Sequence, residues 1–411
     1  MSGIVIAGAG QAGCHAAASL REAGYAGPVT LVGEEPYGPY QRPPLSKAYL
    51  AGKTDAAGLA LRADAFFSEH AIALRLGTRV SAIDRAGRAV VLGDGERLPY
   101  DHLVLALGAR NRPLPVPGAE LAGIRQLRGL ADADALKEAL SGAARVAVVG
   151  AGFIGLEFAA VAAARGLDVA VVEAASRPMA RAVSAETGEF FRAAHESAGI
   201  RFLFGAGVAA FEGRDGRVSA LRLADGSALP ADLVVVGIGV LPNAELAAEA
   251  GLAVGDGIRV DAMLATDDPA VSAIGDGARF PSPFAAGLSA DGTVRIESVQ
   301  NAIDQGRCLA ARLTGRPAAY TALPWFWSDQ GRHKLQIAGL GGPNDASVIR
   351  GSGEAFSVFR FREGVLRAVE SVNQAGDHMI ARRLIAAGTP LSPEQAADPS
   401  LDLKALVLRP R

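Results

Sequence analysis

The chain has 411 residues, enough for two or three domains each with its own core. Half of it is apolar (50%) and the net charge is −2, which excludes a disordered chain and leaves no electrostatic case for binding nucleic acid or a bulk membrane surface. Its two cysteines, Cys14 and Cys308, form no CxxC pair, so no disulfide scaffold or zinc site is predicted, and each reads as a small buried hydrophobe.

The first apolar run begins at Ile4, with no room ahead of it for a secretory signal. Ile4–Gly13 reads IVIAGAGQAG, strand then glycine turn then helix. Gly8 allows the tight turn, Gly10 lets the backbone approach a pyrophosphate, and Gly13 lets helix and strand pack closely. The predicted helix, Gln11–Ala23, aims its first N–H groups and its dipole at the phosphates. The strand Val29–Val32 then delivers Glu34, a carboxylate placed for ribose hydroxyls.

Pro39–Lys47 (PYQRPPLSK) carries three prolines and is not a helix interior. Arg42 and Lys47 stand on this stiff loop. They read either as solvated cations or as groups meeting a pyrophosphate and a redox centre, and the local sequence leaves both open. Ala71–Leu92 and Leu98–Leu107 read as strands, with turn chemistry at Gly93-Asp94-Gly95. Arg110–Pro117 is rich in proline and reads as an interdomain crossing. Arg128 precedes a helix start.

Val146–Glu173 repeats the first pattern: an apolar run, the turn Gly150-Ala151-Gly152-Phe153-Ile154-Gly155, an alanine-rich helix and a second apolar run ending on Glu173, 23 positions after Gly150. It is the most membrane-like stretch, but glycines and Glu157 interrupt it, so no span and a cytoplasmic protein are expected. A carboxylate at Glu173 accepts from a ribose 2′-OH and repels a 2′-phosphate, which favours NADH over NADPH. Two nucleotide-binding units in one chain suggest two nucleotides and a reaction between them. ADLVVVGIGVLPN further on repeats the pattern of YDHLVLALG, which supports two copies of one domain type. Asp276 follows a strand in VSAIGDGA, where open α/β sheets place ligand contacts. Arg295–Ala311 reads as a loop entering an amphipathic helix. Trp325 and Trp327 follow, then a tail with strand-like runs and a helix over Asp377–Ala387, read as a separate α+β domain.

The motifs GAGQAG, PYQRPPLSK, YDHLVLALGA, GAGFIGLE with Glu173, GIGVLPN, AIGDGARF, RIESVQNA and PWFWSDQ run almost end to end. On them the chain resembles the FAD-dependent, NADH-using ferredoxin reductases of bacterial oxygenase systems. Leu107 departs from the pattern, where a threonine is usual. The resemblance implies an α/β, glutathione-reductase-like fold. Two Rossmann-like domains are expected, an FAD domain over 1–116 and 245–322 and a NAD domain over 117–244, followed by a C-terminal α+β domain over 323–411. It further implies that Gly8, Gly10, Ala12, Gly13, Glu34, Arg42, Lys47, Val80, Arg128, Asp276, Val299 and Trp325 serve FAD. Gly150, Gly152, Ile154, Gly155 and Glu173 would serve NADH. Lys47 would lie near the flavin N5 and pair with Glu157, and Trp327 or Trp325 would stand by the flavin and the docked partner. A cation there would tune the flavin, unless the pair is only a structural one.

That partner would be a [2Fe–2S] ferredoxin feeding a cytochrome P450 or a Rieske-type oxygenase, with the reductase a monomer or weak dimer. PYQRPPLSK carries no cysteine, so no dithiol relay is expected and electrons should leave to an external carrier. Arg307, Arg312 and Arg316 are taken as a basic docking face for an acidic ferredoxin, or else a solvated helix face. A rubredoxin reductase and an interaction protein of the apoptosis-inducing-factor type are the other readings of the same fold.

Overall fold

The computed structural model describes residues 2–407. The chain divides into two compact units whose segments alternate in sequence. The first comprises the chain through Gln41, Ala57–Arg110 and Leu241–Phe326; the second comprises Arg42–Ala56, Asn111–Val240 and the chain from Trp327 on.

In the first unit the sheet runs in the order Ile72–Leu76, Val29–Gly33, Gly3–Ala7, Arg97–Leu105, Ala89–Leu92, Val80–Asp84, with Val271–Ala273 added on Arg97–Leu105. Gly3–Ala7 is central, parallel to both neighbours and buried along its whole length, which is why it reads as an unbroken apolar run. The helix Gln11–Glu22 follows it and packs on the helix Val299–Leu313. At Gly306 a Cβ would come within 2.9 Å of the Ala16 backbone nitrogen, so only glycine permits this approach. Core side chains such as Ile6, Leu31 and Leu103 are fully buried, each burial contributing about 1.5–3 kcal/mol.

The second unit holds a parallel sheet in the order Arg201–Phe204, Asp168–Glu173, Arg145–Val149, Leu233–Val236, Ile124–Arg125. A three-stranded antiparallel sheet, Val208–Arg214, Arg217–Leu223 and Ala228–Pro230, packs beside it. A five-stranded sheet in the order Trp325–Gln330, His333–Gly339, Val365–Val372, Ala355–Arg362, Ala346–Ser352, which belongs to this unit from Trp327 on, carries the helix Ala375–Ala387. Gly388, at φ +60°, closes that helix.

One strand reading needs correction. Ala71–Leu92 is three strands, interrupted at Gly77 (φ +70°) and at Arg88 (φ +46°). In the second unit Gly205 (φ +64°) likewise separates the strands Arg201–Phe204 and Val208–Arg214. A left-handed residue turns the chain out of the pleat, and hydrophobic alternation alone does not register it. Among the described residues no helix is long and apolar enough to cross a membrane.

Candidate functional site

The two glycine turns have the same construction. Gly8 and Gly150 sit at φ +115° and +102°, and a Cβ on either would collide with a carbonyl oxygen, Ala106 O at 2.1 Å and Gly237 O at 2.4 Å. A Cβ on Gly13 or Gly155 would strike the carbonyl of Gly8 or Gly150, at 1.9 and 2.3 Å. Gly10 and Gly152 differ: nothing lies within 4 Å of an added Cβ. Those two glycines are also the N-caps of their helices, and neither helix has a side-chain cap or an acid in its first turn. The helices Ala185–Ser197 and Val299–Leu313 are capped by Ser184 and Ser298 instead. An open space over an uncapped helix start is the cradle that a dinucleotide pyrophosphate fills. FAD and NADH therefore fit the residues present.

The acids at the strand ends are placed unequally. Glu34 is exposed, while its neighbour Glu35 accepts from the Tyr40 hydroxyl at 2.5 Å. Glu173 accepts from the Ala151 N–H at 2.7 Å and the Ala175 N–H at 2.8 Å, so it also braces the second glycine turn. A carboxylate has about four acceptor sites, so capacity for ribose hydroxyls is left. Asp276 lies in the short turn Gly275–Gly277, at the end of Val271–Ala273. Gln305 holds this turn by accepting from the Gly275 N–H at 2.6 Å, and its buried Nε2 has no hydrogen-bond partner among the described residues, a donor that a ligand oxygen would satisfy. Val80 is buried in the first core, and Val299 begins its helix.

A buried polar cluster lies in the second unit. Pro43 and Pro44 open a short 3₁₀ turn that ends at Lys47. This turn packs on the helix Phe153–Ala164. Lys47 Nζ is 3.1 Å from Glu157 Oε1 and 3.5 Å from Asp329 Oδ2. Ser46 donates to Glu157 Oε2 at 2.5 Å, and Ser328 donates to Glu157 Oε1 at 2.6 Å. Burial pushes the Glu157 carboxyl pKa up, against the opposing pull of Lys47 and the two hydroxyls. Nearby, Arg42 donates to the Arg128 carbonyl at 2.9 Å, and Asp132 accepts from the N–H groups of Arg128 and Gly129, both at 2.9 Å.

The structure gives Lys47, Glu157 and Trp327 to one unit, together with Arg42, Arg128, Gly150, Gly152, Ile154, Gly155 and Glu173. Gly8, Gly10, Ala12, Gly13, Glu34, Val80, Asp276, Val299 and Trp325 belong to the other. The motif WFWSDQ contains Ser328 and Asp329 of this cluster, and Gln330 beside them, but the sequence singles out none of the three. Their signal is alternation: Ser328 and Gln330 are the two buried positions of the strand Trp325–Gln330.

The basic face needs correction. Arg312 is half-buried and donates to the fully buried Ser272 hydroxyl, so it is not on a docking face. Arg307 remains exposed, 3.5 Å from Asp304, and Arg316 is exposed beyond the helix end. Both cysteines are free; burial pushes the Cys14 thiol up to about 11 and raises that of Cys308 too. Neither is therefore a ready thiolate.

Residues 2–306 match the pyridine nucleotide-disulphide oxidoreductase family, and residues 325–407 match the reductase C-terminal family. Rhodocoxin reductase of Rhodococcus erythropolis is 52% identical over 408 residues, covering 99% of this chain and 94% of that one. The crystal structure of a ferredoxin reductase for the CYP199A2 system from Rhodopseudomonas palustris superposes with a TM-score of 0.95 at 49% identity, covering 99% of this chain and all (100%) of that one. The reductase in a covalent putidaredoxin reductase–putidaredoxin complex superposes with a TM-score of 0.94 at 40% identity, covering 99% and 98% of the two chains. Matched over nearly its whole length and built on two uncapped glycine turns, the chain belongs to the pyridine nucleotide-disulphide oxidoreductase family, among the ferredoxin reductases of oxygenase systems.

Proposed function

We propose that this protein is an NADH-dependent ferredoxin reductase, carrying electrons through FAD to a [2Fe–2S] ferredoxin that feeds a cytochrome P450 or a Rieske-type oxygenase. The observation that carries the reading is the Lys47–Glu157 pair: a cation fixed at 3.1 Å on a buried carboxylate, in a chain whose two cysteines, Cys14 and Cys308, are both free. Bound FAD supplies the conversion of a two-electron hydride into single electrons.

The chain's own residues bind and orient. The uncapped helix start at Gly10 would hold the flavin pyrophosphate, with Glu34 and Asp276 taking hydroxyls. The start at Gly152, with Ile154 and Gly155, would hold NADH, and Glu173 would select it over NADPH by accepting from the 2′-OH. Lys47 would keep a positive charge against the flavin, where the resemblance puts it, and Glu157 would hold that charge in one place. Trp325 and Trp327 would exclude water. The electrons would leave singly to an acidic carrier, and the protein would work in the cytoplasm beside the NADH pool.

The test compares NADH-driven and NADPH-driven reduction of a [2Fe–2S] ferredoxin and of rubredoxin by the yellow, FAD-loaded protein. Faster ferredoxin reduction with NADH is expected. Equal rates with rubredoxin would remove the partner assignment, and a colourless protein that cannot be loaded with FAD would overturn the reading.

A further inference from the structure

Glu157 stands at the end of a hydrogen-bonded chain longer than a lysine's counter-ion requires. Gln330 Nε2 lies 3.3 Å from Ser328 Oγ and 3.4 Å from Met179 Sδ, and Gln330 Oε1 lies 2.9 Å from His195 Nε2. All members are buried: His195 is 4% exposed, Gln330 2%, Ser328 0% and Glu157 5%. A primary amide has one donor end and one acceptor end. With its nitrogen toward Ser328 and Met179, its oxygen faces His195, which then carries its proton on Nε2. Donation runs one way: His195 to Gln330, Gln330 to Ser328, Ser328 to Glu157. A reversed amide would set Gln330 Oε1 against Ser328, and the hydroxyl's single proton would be drawn off Glu157.

We propose that His195 and Gln330 are positioning residues for the Lys47–Glu157 pair: His195 locks the Gln330 amide, and the locked amide commits the Ser328 hydroxyl to Glu157, which keeps that carboxylate ionised and Lys47 held. The inference rests on the role given to Lys47 and Glu157 above. The charged and titratable groups facing the chain are Lys47, Asp329 through Lys47, and His333 at the His195 end. His195 itself sits in the last turn of the helix Ala185–Ser197, its ring beside Phe191 and Phe202. That apolar setting leaves Gln330 as its polar anchor.

The experiment follows the Glu157 carboxyl band by infrared spectroscopy across pH in the FAD-loaded, 13C-glutamate-labelled full chain, with the band assigned by its loss in E157Q. His195→Leu and His195→Met, which leave the Gln330 amide free to turn, should each move protonation of Glu157 upward by about one pH unit, the size of one lost hydrogen bond to a charged group, whereas Gln330→Met leaves Ser328 no amide oxygen to turn to and should titrate as wild type. His195→Gln, whose amide can still donate to Gln330 Oε1, should restore the wild-type titration. A titration unmoved in whichever of H195L and H195M folds, a Q330M protein shifted as far as they are, or an H195Q protein that titrates like H195L, would overturn the proposal. Failure of the underlying reading shows separately, as an E157Q protein that reduces ferredoxin from NADH at the wild-type rate.

Discussion

Glu157 and Glu370 are both buried carboxylates, 5% and 1% exposed, each paired with a cation and touched by serine hydroxyls. Their surroundings differ in one respect. Glu370 is closed on every side: Arg360 Nη1 at 2.8 Å, the Ser184 N–H at 2.9 and 3.0 Å, and Ser184 Oγ at 2.7 Å all donate to it. Its cation is as buried as it is, with side-chain exposures of 6% for Arg360 and 1% for Glu370. Glu370 also ties its strand to the residue that caps the helix Ala185–Ser197. Glu157 has a lysine that is 17% exposed and owns a second carboxylate, Asp329, itself 41% exposed. The same materials thus build two devices. A buried guanidinium held between Glu370 and the Gly342 carbonyl ties elements together, whereas an ammonium with an open edge and a spare partner is free to serve a ligand.

The comparison breaks if the two carboxylates respond alike. Glu370→Gln should cost about 3–5 kcal/mol in denaturant unfolding, because it strands a buried Arg360. Molecules that remain folded should turn over normally. Lys47→Met should do the reverse. Electron delivery from NADH to ferredoxin should fall by ~10²-fold, the loss of one fixed charge at the reacting centre, with stability within about 1 kcal/mol of wild type. A K47M protein that is unstable but fully active per folded molecule would make the pair structural.

Glu157→Gln is the finer test, since it separates activity from stability. Its rate should fall by ~10-fold, less than for Lys47, because the ammonium keeps Asp329 as a partner. Stability should not fall at neutral pH. Burial raises the native pKa of Glu157 above its ordinary 4.5, so between that value and the native pKa the folded chain binds more protons than the unfolded one. Wild-type stability therefore declines as pH rises from about 4.5 through the native pKa, then levels. E157Q lacks that decline, so melts from pH 4.5 to 8 should show its stability gain over wild type growing with pH and vanishing at the acid end. A loss at neutral pH as large as that of E370Q would erase the distinction.

What the sequence disclosed follows the range of the forces involved. The glycine turns were legible because positive φ at Gly8 and Gly150 and the close approach at Gly13 and Gly155 are local demands that only glycine meets. Lys47 and Glu157 lie 110 positions apart, and only the family resemblance joined them. Ser328, Gln330 and His195 had no such guide, since a hydrogen bond across 135 positions leaves no mark in either segment. Arg312 was misplaced for a geometric reason that spacing does contain. Five positions along a helix turn the side chain by about 140°, so Arg307 and Arg312 do not share a face. Glu173 was expected to serve a ribose, and the structure shows it bracing the Ala151 N–H, a contact that still leaves acceptor sites on its carboxylate.

The smallest expected effect belongs to Asp329, and it locates the boundary between the two kinds of pair. Its carboxylate is 3.5 Å from Lys47 Nζ and 41% exposed, so water screens it and the contact is worth no more than about 1 kcal/mol. Asp329→Asn should change the NADH-driven rate by only ~2–3-fold. Combined with Glu157→Gln, however, it leaves Lys47 with no carboxylate within 4 Å among the described residues. If Asp329 is the spare partner that keeps E157Q active, the double variant should fall below the product of the two single effects, toward the level of Lys47→Met. Strict multiplication of the two would mean that Lys47 does not change partners, and that its pair is as closed in effect as that of Arg360.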